Sequence, residues 1–135
     1  MAAAVRGRGR SDLKILAVTV LTSLSDEDLL EMGFNESARS LVERRIHHAV
    51  AAGCDGVIAS PHEAQLARAI GGPDFLVVTP GVRPDWAARN DQARAATPAQ
   101  ALGAGASHIV CGRPITGAND PQAAALRIVA EMAGA

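Results

Sequence analysis

Two arginines stand in the same local setting, each just past an apolar run and beside residues that shape the backbone. Arg83 closes Val77-Val78-Thr79-Pro80-Gly81-Val82-Arg83-Pro84, and Arg113 lies in Ile109-Val110-Cys111-Gly112-Arg113-Pro114-Ile115-Thr116. The separation of about 30 residues is that of one β/α unit. A planar guanidinium offers a fork of donors that suits a phosphate, and glycine lets backbone N–H groups approach the same anion closely. One isolated arginine of this kind is ordinarily a surface ion-pair partner. Two in matched positions, each flanked by Gly and Pro, point to a phosphate site.

The remaining chemistry-bearing residues form no second constellation. His47 and His48 are adjacent, so on a helix they diverge by about 100° and do not share one metal. His62 stands at a strand-to-helix junction, where a capping or exposed role accounts for it. Cys54 and Cys111 lie in or beside apolar runs and not at metal-ligand spacing, which reads as reduced core thiols of a cytoplasmic protein. No metal site is expected.

Composition narrows the classes further. A chain of 135 residues, 48% hydrophobic and 20% charged, has room for one modest folded domain. Its formal net charge of -1 supplies no basic field for nucleic acid, and Phe34, Phe75 and Trp86 are too few to build a base-stacking platform. No run approaches the roughly 18 apolar residues of a membrane span. Residues 1–12 are basic and lack an apolar stretch, and read as a frayed lead-in; residues 13–135 read as the folded part.

The elements that must hold the arginines follow from periodicity and punctuation. Lys14 to Leu21 is a nearly continuous apolar run, expected to be a strand buried on both faces. Ser25-Asp26-Glu27-Asp28 caps a short helix that stops at Gly33, and Asn35-Glu36-Ser37 opens a longer one that ends at Gly53. Asp55 to Ser60 is the second strand, and Pro61-His62-Glu63 starts a helix running to Gly71-Gly72. Phe75 to Val78 is the third strand. The connection from Pro80 to Thr97 has no clear periodicity, and its length marks a binding loop. A helix from Thr97, a strand Ser107 to Cys111, a loop over residues 112–117 and a helix from Asn119-Asp120-Pro121 complete the chain.

Ala52-Gly53-Cys54-Asp55-Gly56-Val57-Ile58-Ala59-Ser60 aligns with Ala104-Gly105-Ala106-Ser107-His108-Ile109-Val110-Cys111-Gly112, an internal repeat two β/α units long. Four parallel strands with intervening helices make either a small open sheet or part of a closed barrel. A full (β/α)8 barrel takes about 250 residues and commonly places its phosphate site after strands seven and eight. The expectation is therefore an α/β fold, the C-terminal half of a (β/α)8 barrel, with these strands as numbers five to eight.

Thr19-Val20-Leu21-Thr22-Ser23, Thr79-Pro80-Gly81-Val82-Arg83-Pro84, Asn90-Asp91-Gln92, Ala96-Thr97-Pro98 and Gly112-Arg113-Pro114-Ile115-Thr116 occur in register with one family. On these motifs the chain resembles the bacterial branch of orotidine 5'-phosphate decarboxylase from Leu13 to the C-terminus. The resemblance implies a cofactor-free lyase that converts orotidine 5'-monophosphate to UMP and CO₂ in pyrimidine biosynthesis, acting as a homodimer. It further implies that Arg83, Arg113 and the Gly112 backbone bind the phosphate, that Gln92 reaches over the phosphate and the pyrimidine edge, and that Thr22 lines the pocket.

One departure stands out. The family's catalytic Asp-x-Lys-x-x-Asp is absent: Asp12-Leu13-Lys14 is followed by Ala17 where the second Asp belongs, and it opens a strand where the signature ends one. No catalytic residue is expected in this chain. A related sugar-phosphate barrel enzyme and a non-catalytic phosphate-binding half-barrel are the competing readings.

Overall fold

A computed structural model describes residues 1–87 and 96–134. In chain order the elements are α1 (Ala2–Arg8), β1 (Leu16–Val18), α2 (Asp26–Glu31), α3 (Ala38–Ala51), β2 (Gly56–Ile58), a 3-10 turn (Pro61–Glu63), α4 (Ala64–Gly71), β3 (Leu76–Thr79), α5 (Pro98–Gly103), β4 (His108–Ile109), α6 (Arg113–Thr116) and α7 (Pro121–Ala133). Local chemistry fixes several starts. Ser25 Oγ accepts from the Asp28 amide while the Asp28 carboxylate accepts from Ser25 N–H, and Thr97 and Gln100 form the same reciprocal box at α5. Each such cap contributes about 1 kcal/mol.

All strands are parallel and lie in sequence order, β1-β2-β3-β4, with Ala17 opposite Val57 and Val57 opposite Val77. A sheet that steps one way at every crossover, with right-handed connections, receives all its helices on one face. The burial pattern agrees. Ala17, Val57 and Val77 are buried against Leu41, Val42, Ile46 and Ala49 of α3 and Ala64 and Ala67 of α4. Val18, Ile58 and Val78 share one register row on the opposite face; Val18 is 52% exposed, and Val110, past the end of β4, is 49% exposed. The expectation that the first strand is buried on both faces is thus corrected. Its apolar run serves a covered face and an open one.

Two further expectations change. Residues 2–8 are helical, and the Val5 side chain packs against the core while Arg8 pairs with Asp55. The segment is held by these contacts, which composition alone does not reveal. Residues 113–116 form the short helix α6, because Gly112 C=O accepts from both Ile115 and Thr116 N–H.

The amino-terminal edge of the sheet is fastened by two charged groups. Arg68 on α4 donates to the carbonyls of Gly72, Pro73, Phe75 and Gly105, joining the entries to β3 and β4. Asp55, which enters β2, accepts from Ile15 N–H at 2.7 Å and from Arg8, with Lys14 at 3.9 Å. The Ile15 amide, then Arg8 and Lys14, hold the Asp55 carboxyl below its ordinary 3.8. A lowered folded pKa means stabilisation present above the ordinary value and lost as pH falls through the folded one. Asp55→Asn is therefore expected to lower the thermal midpoint at pH 7 and to flatten the loss of stability below about pH 4. Parallel pH-melting curves for the two proteins would contradict this.

Candidate functional site

The site is built where β3 and β4 release the chain. Pro80 and Gly81 turn it at the end of β3, with Gly81 at φ +78°, a conformation that a side chain disfavours. Val82 then re-enters the core, fully buried, and bridges Ala96 in parallel; Arg83 N–H donates to Ala96 C=O at 2.8 Å. The two ends of the long connection are thereby tied together at Arg83.

Arg83 is only 7% exposed. Its Nη1 donates to Val82 C=O at 2.8 Å, and its Nε has no acceptor among the described residues. A buried cation with an unanswered N–H is costly unless an acceptor arrives from outside the chain. The Val82 carbonyl also faces the Cys111 thiol, 3.8 Å away, which ties the β3 loop to the β4 loop. Burial pushes the Cys111 pKa up, against the opposing pull of Arg83, and so favours the protonated thiol.

Gly112 and Arg113 follow at once. Arg113 is the first residue of α6 and is exposed, and a Cβ built on Gly112 would meet nothing within 4 Å among the described residues. The backbone there is approachable from outside. Thr22 is buried just past β1, on the same carboxyl edge of the sheet but two strands from Arg83. The structure therefore brings Arg83 and the Gly112-Arg113 loop together and leaves Thr22 further along the edge; Gln92 lies outside the described residues. A polar cavity of about 110 Å³ lined by Arg83, Asp85, Thr97 and Gln100 adjoins the neck without reaching Gly112 or Arg113. An anion held by both loops would sit outside it.

Sequence reasoning missed several supports. Thr19 Oγ1 donates to Ile58 C=O at 2.8 Å and Thr79 Oγ1 to His108 C=O at 3.2 Å, so two buried hydroxyls prolong the pairing where the strands end. Thr79, closing the apolar run over residues 75–78, was an available signal; Thr19, inside the run over residues 14–21, gave none. Trp86 is held by α7: its Nε1 donates to Glu131 Oε1 at 2.7 Å, and Arg127 Cζ lies 4.2 Å from its ring centroid. Lys14 stands at the opposite edge, beside Asp55. His47, His48 and His62 are exposed, and no group of three metal-ligating side chains occurs among the described residues. Among those residues, too, no helix is long and apolar enough to cross a membrane.

Comparison with known proteins adds a family to this geometry. The sequence profile of the orotidine 5'-phosphate decarboxylase / HUMPS family matches residues 1–128. An orotidine 5'-phosphate decarboxylase of Caulobacter sp. (strain K31) is 73% identical over 134 residues, which are 99% of this chain and 58% of that relative. One of Rhodopseudomonas palustris (strain BisB5) is 56% identical over 135 residues and 57% of its length. The crystal structure of orotidine 5'-phosphate decarboxylase from Lactobacillus acidophilus superposes with a TM-score of 0.74 at 44% identity, over 92% of this chain and 51% of that one. The chain spans somewhat more than half the length of the curated relatives it matches.

Proposed function

This chain belongs to the orotidine 5'-phosphate decarboxylase / HUMPS family, and on that premise we propose that it is the phosphate-gripping C-terminal half of such a decarboxylase. The observation that carries the reading is the buried Arg83 guanidinium, short of an acceptor and stitched through Val82 C=O to the loop bearing Gly112 and Arg113. Arg83, Arg113 and the Gly112 backbone bind the phosphate of orotidine 5'-monophosphate. Gln92 reaches over the phosphate and the pyrimidine, and Thr22 lines the pocket. The reaction releases CO₂ and UMP without a cofactor, in a homodimer, and the groups that protonate the ring come from outside this chain.

In this reading the four strands are five to eight of a (β/α)8 barrel. Their single stepping direction, the helices confined to one face, and the exposed Val18 and Val110 with the partly buried Ile58 and Val78 on the other support that assignment. The open face is then the lining of the closed barrel. Because the phosphate is remote from the bond broken, its binding energy orders the reacting ring, which is the part of catalysis these residues supply.

The test is a chimera in which this chain replaces the matching 58% of the Caulobacter decarboxylase. It is expected to turn over orotidine 5'-monophosphate, whereas the 135-residue chain alone is expected to be inactive and to self-associate through its open face. A folded, soluble chimera without turnover would overturn the assignment. So would a monomeric 135-residue chain that decarboxylates the substrate.

A further inference from the structure

The two arginines sit on separate loops, so something must set the distance between their guanidinium groups. One tie is the Val82 carbonyl. A second runs through Trp86, which sits three residues beyond Arg83 in a turn where Ala87 N–H donates to Pro84 C=O at 3.0 Å, with Pro84 fully buried. Trp86 is held on two sides by consecutive turns of one helix. Arg127 covers the ring face and Glu131, four residues on, takes the indole N–H. That helix, α7, is the element that follows α6, whose first residue is Arg113. The path from Arg83 through Trp86 to α7 and back through α6 thus ends on Arg113.

We propose that Trp86 is a positioning residue: clamped by Arg127 and Glu131 on α7, it fixes the separation of Arg83 and Arg113 and so sets the affinity for a phosphate monoester. The inference rests on the phosphate reading above and adds to it a part of the molecule that touches no ligand. The clamp also predicts a pattern that charge alone does not. Arg127→Met removes a positive charge and Glu131→Leu a negative one, so long-range attraction for an anion would fall in the first variant and rise in the second. Loss of the clamp weakens binding in both.

The experiment titrates UMP and inorganic phosphate into the Caulobacter chimera described above, following heat of binding and tryptophan emission, to which this chain contributes the single Trp86. Arg127→Met and Glu131→Leu are each expected to weaken UMP about 10-fold and to shift the tryptophan emission, the fold-change of one displaced charge-assisted bond. Arg127→Lys keeps the cation over the ring and Glu131→Gln keeps the acceptor, and both are expected to restore binding. If Glu131→Leu binds UMP as tightly as the parent or more tightly, while Arg83→Ala has lost it, the clamp is refuted and the phosphate site stands. If the parent and Arg83→Ala bind UMP alike, the phosphate reading and the clamp fall together.

Discussion

Arg113→Ala in the Caulobacter chimera is expected to lower kcat/KM for orotidine 5'-monophosphate by about 10²- to 10⁴-fold while leaving the thermal midpoint nearly unchanged. The magnitude follows from two charge-assisted hydrogen bonds at about 1.5–3 kcal/mol each, with every 1.4 kcal/mol worth a factor of ten. The selectivity follows from position. Arg113 is exposed on the four-residue helix α6, so truncation removes little packing. Arg83 is the less clean probe, because it is 7% exposed and its Nη1 holds Val82 C=O. Its loss would also disturb the neck at Ala96. Arg113→Lys keeps the charge and loses the planar fork, and an intermediate rate is expected from it. Steady-state kinetics on the three proteins decide the matter: equal kcat/KM for the parent and Arg113→Ala would remove Arg113 from the site.

Much of this site was legible because its determinants are local. A Pro-Gly turn after an apolar strand, a Gly-Arg pair after another and capping residues at Ser25, Thr97 and Asp120 act within a few residues, and each appears in the structure where the sequence puts it. What the sequence concealed depends on partners far along the chain. The helix at Ala2–Arg8 is fastened to Asp55, 47 residues away, and Trp86 to Glu131, 45 residues away. The Lys14–Leu21 run was misjudged for a related reason. An uninterrupted apolar stretch reports that both faces of a strand are meant to be covered, and here the cover over one face is not made by this chain's helices. In the half-barrel reading proposed above, that face lines the barrel interior.

A pair of glycine substitutions separates the fold from the site. In Gly56→Ala the new Cβ would lie 2.2 Å from Leu76 C=O, 2.5 Å from Leu76 Cβ and 2.8 Å from Leu16 Cδ2. The first of these is backbone in the β2–β3 pairing, where Gly56 stands opposite both Leu16 and Leu76, so it cannot swing aside as a side-chain tip would. Relief requires β2 and β3 to part, which adds lost ladder bonds of about 1 kcal/mol each to an overpacking cost of about 1–3 kcal/mol. Against a total stability of about 5–15 kcal/mol for a domain, a loss of about 3 kcal/mol or more is large. The urea midpoint of Gly56→Ala is therefore expected to fall steeply. Gly112→Ala, whose Cβ meets nothing within 4 Å among the described residues, is expected to keep the parent midpoint and, if the phosphate binds as proposed, to lose UMP affinity, since the methyl group would enter the space proposed for the phosphate. Were Gly56→Ala to melt like the parent, the close β2–β3 register would be wrong; were Gly112→Ala to bind UMP like the parent, the phosphate would not contact that backbone.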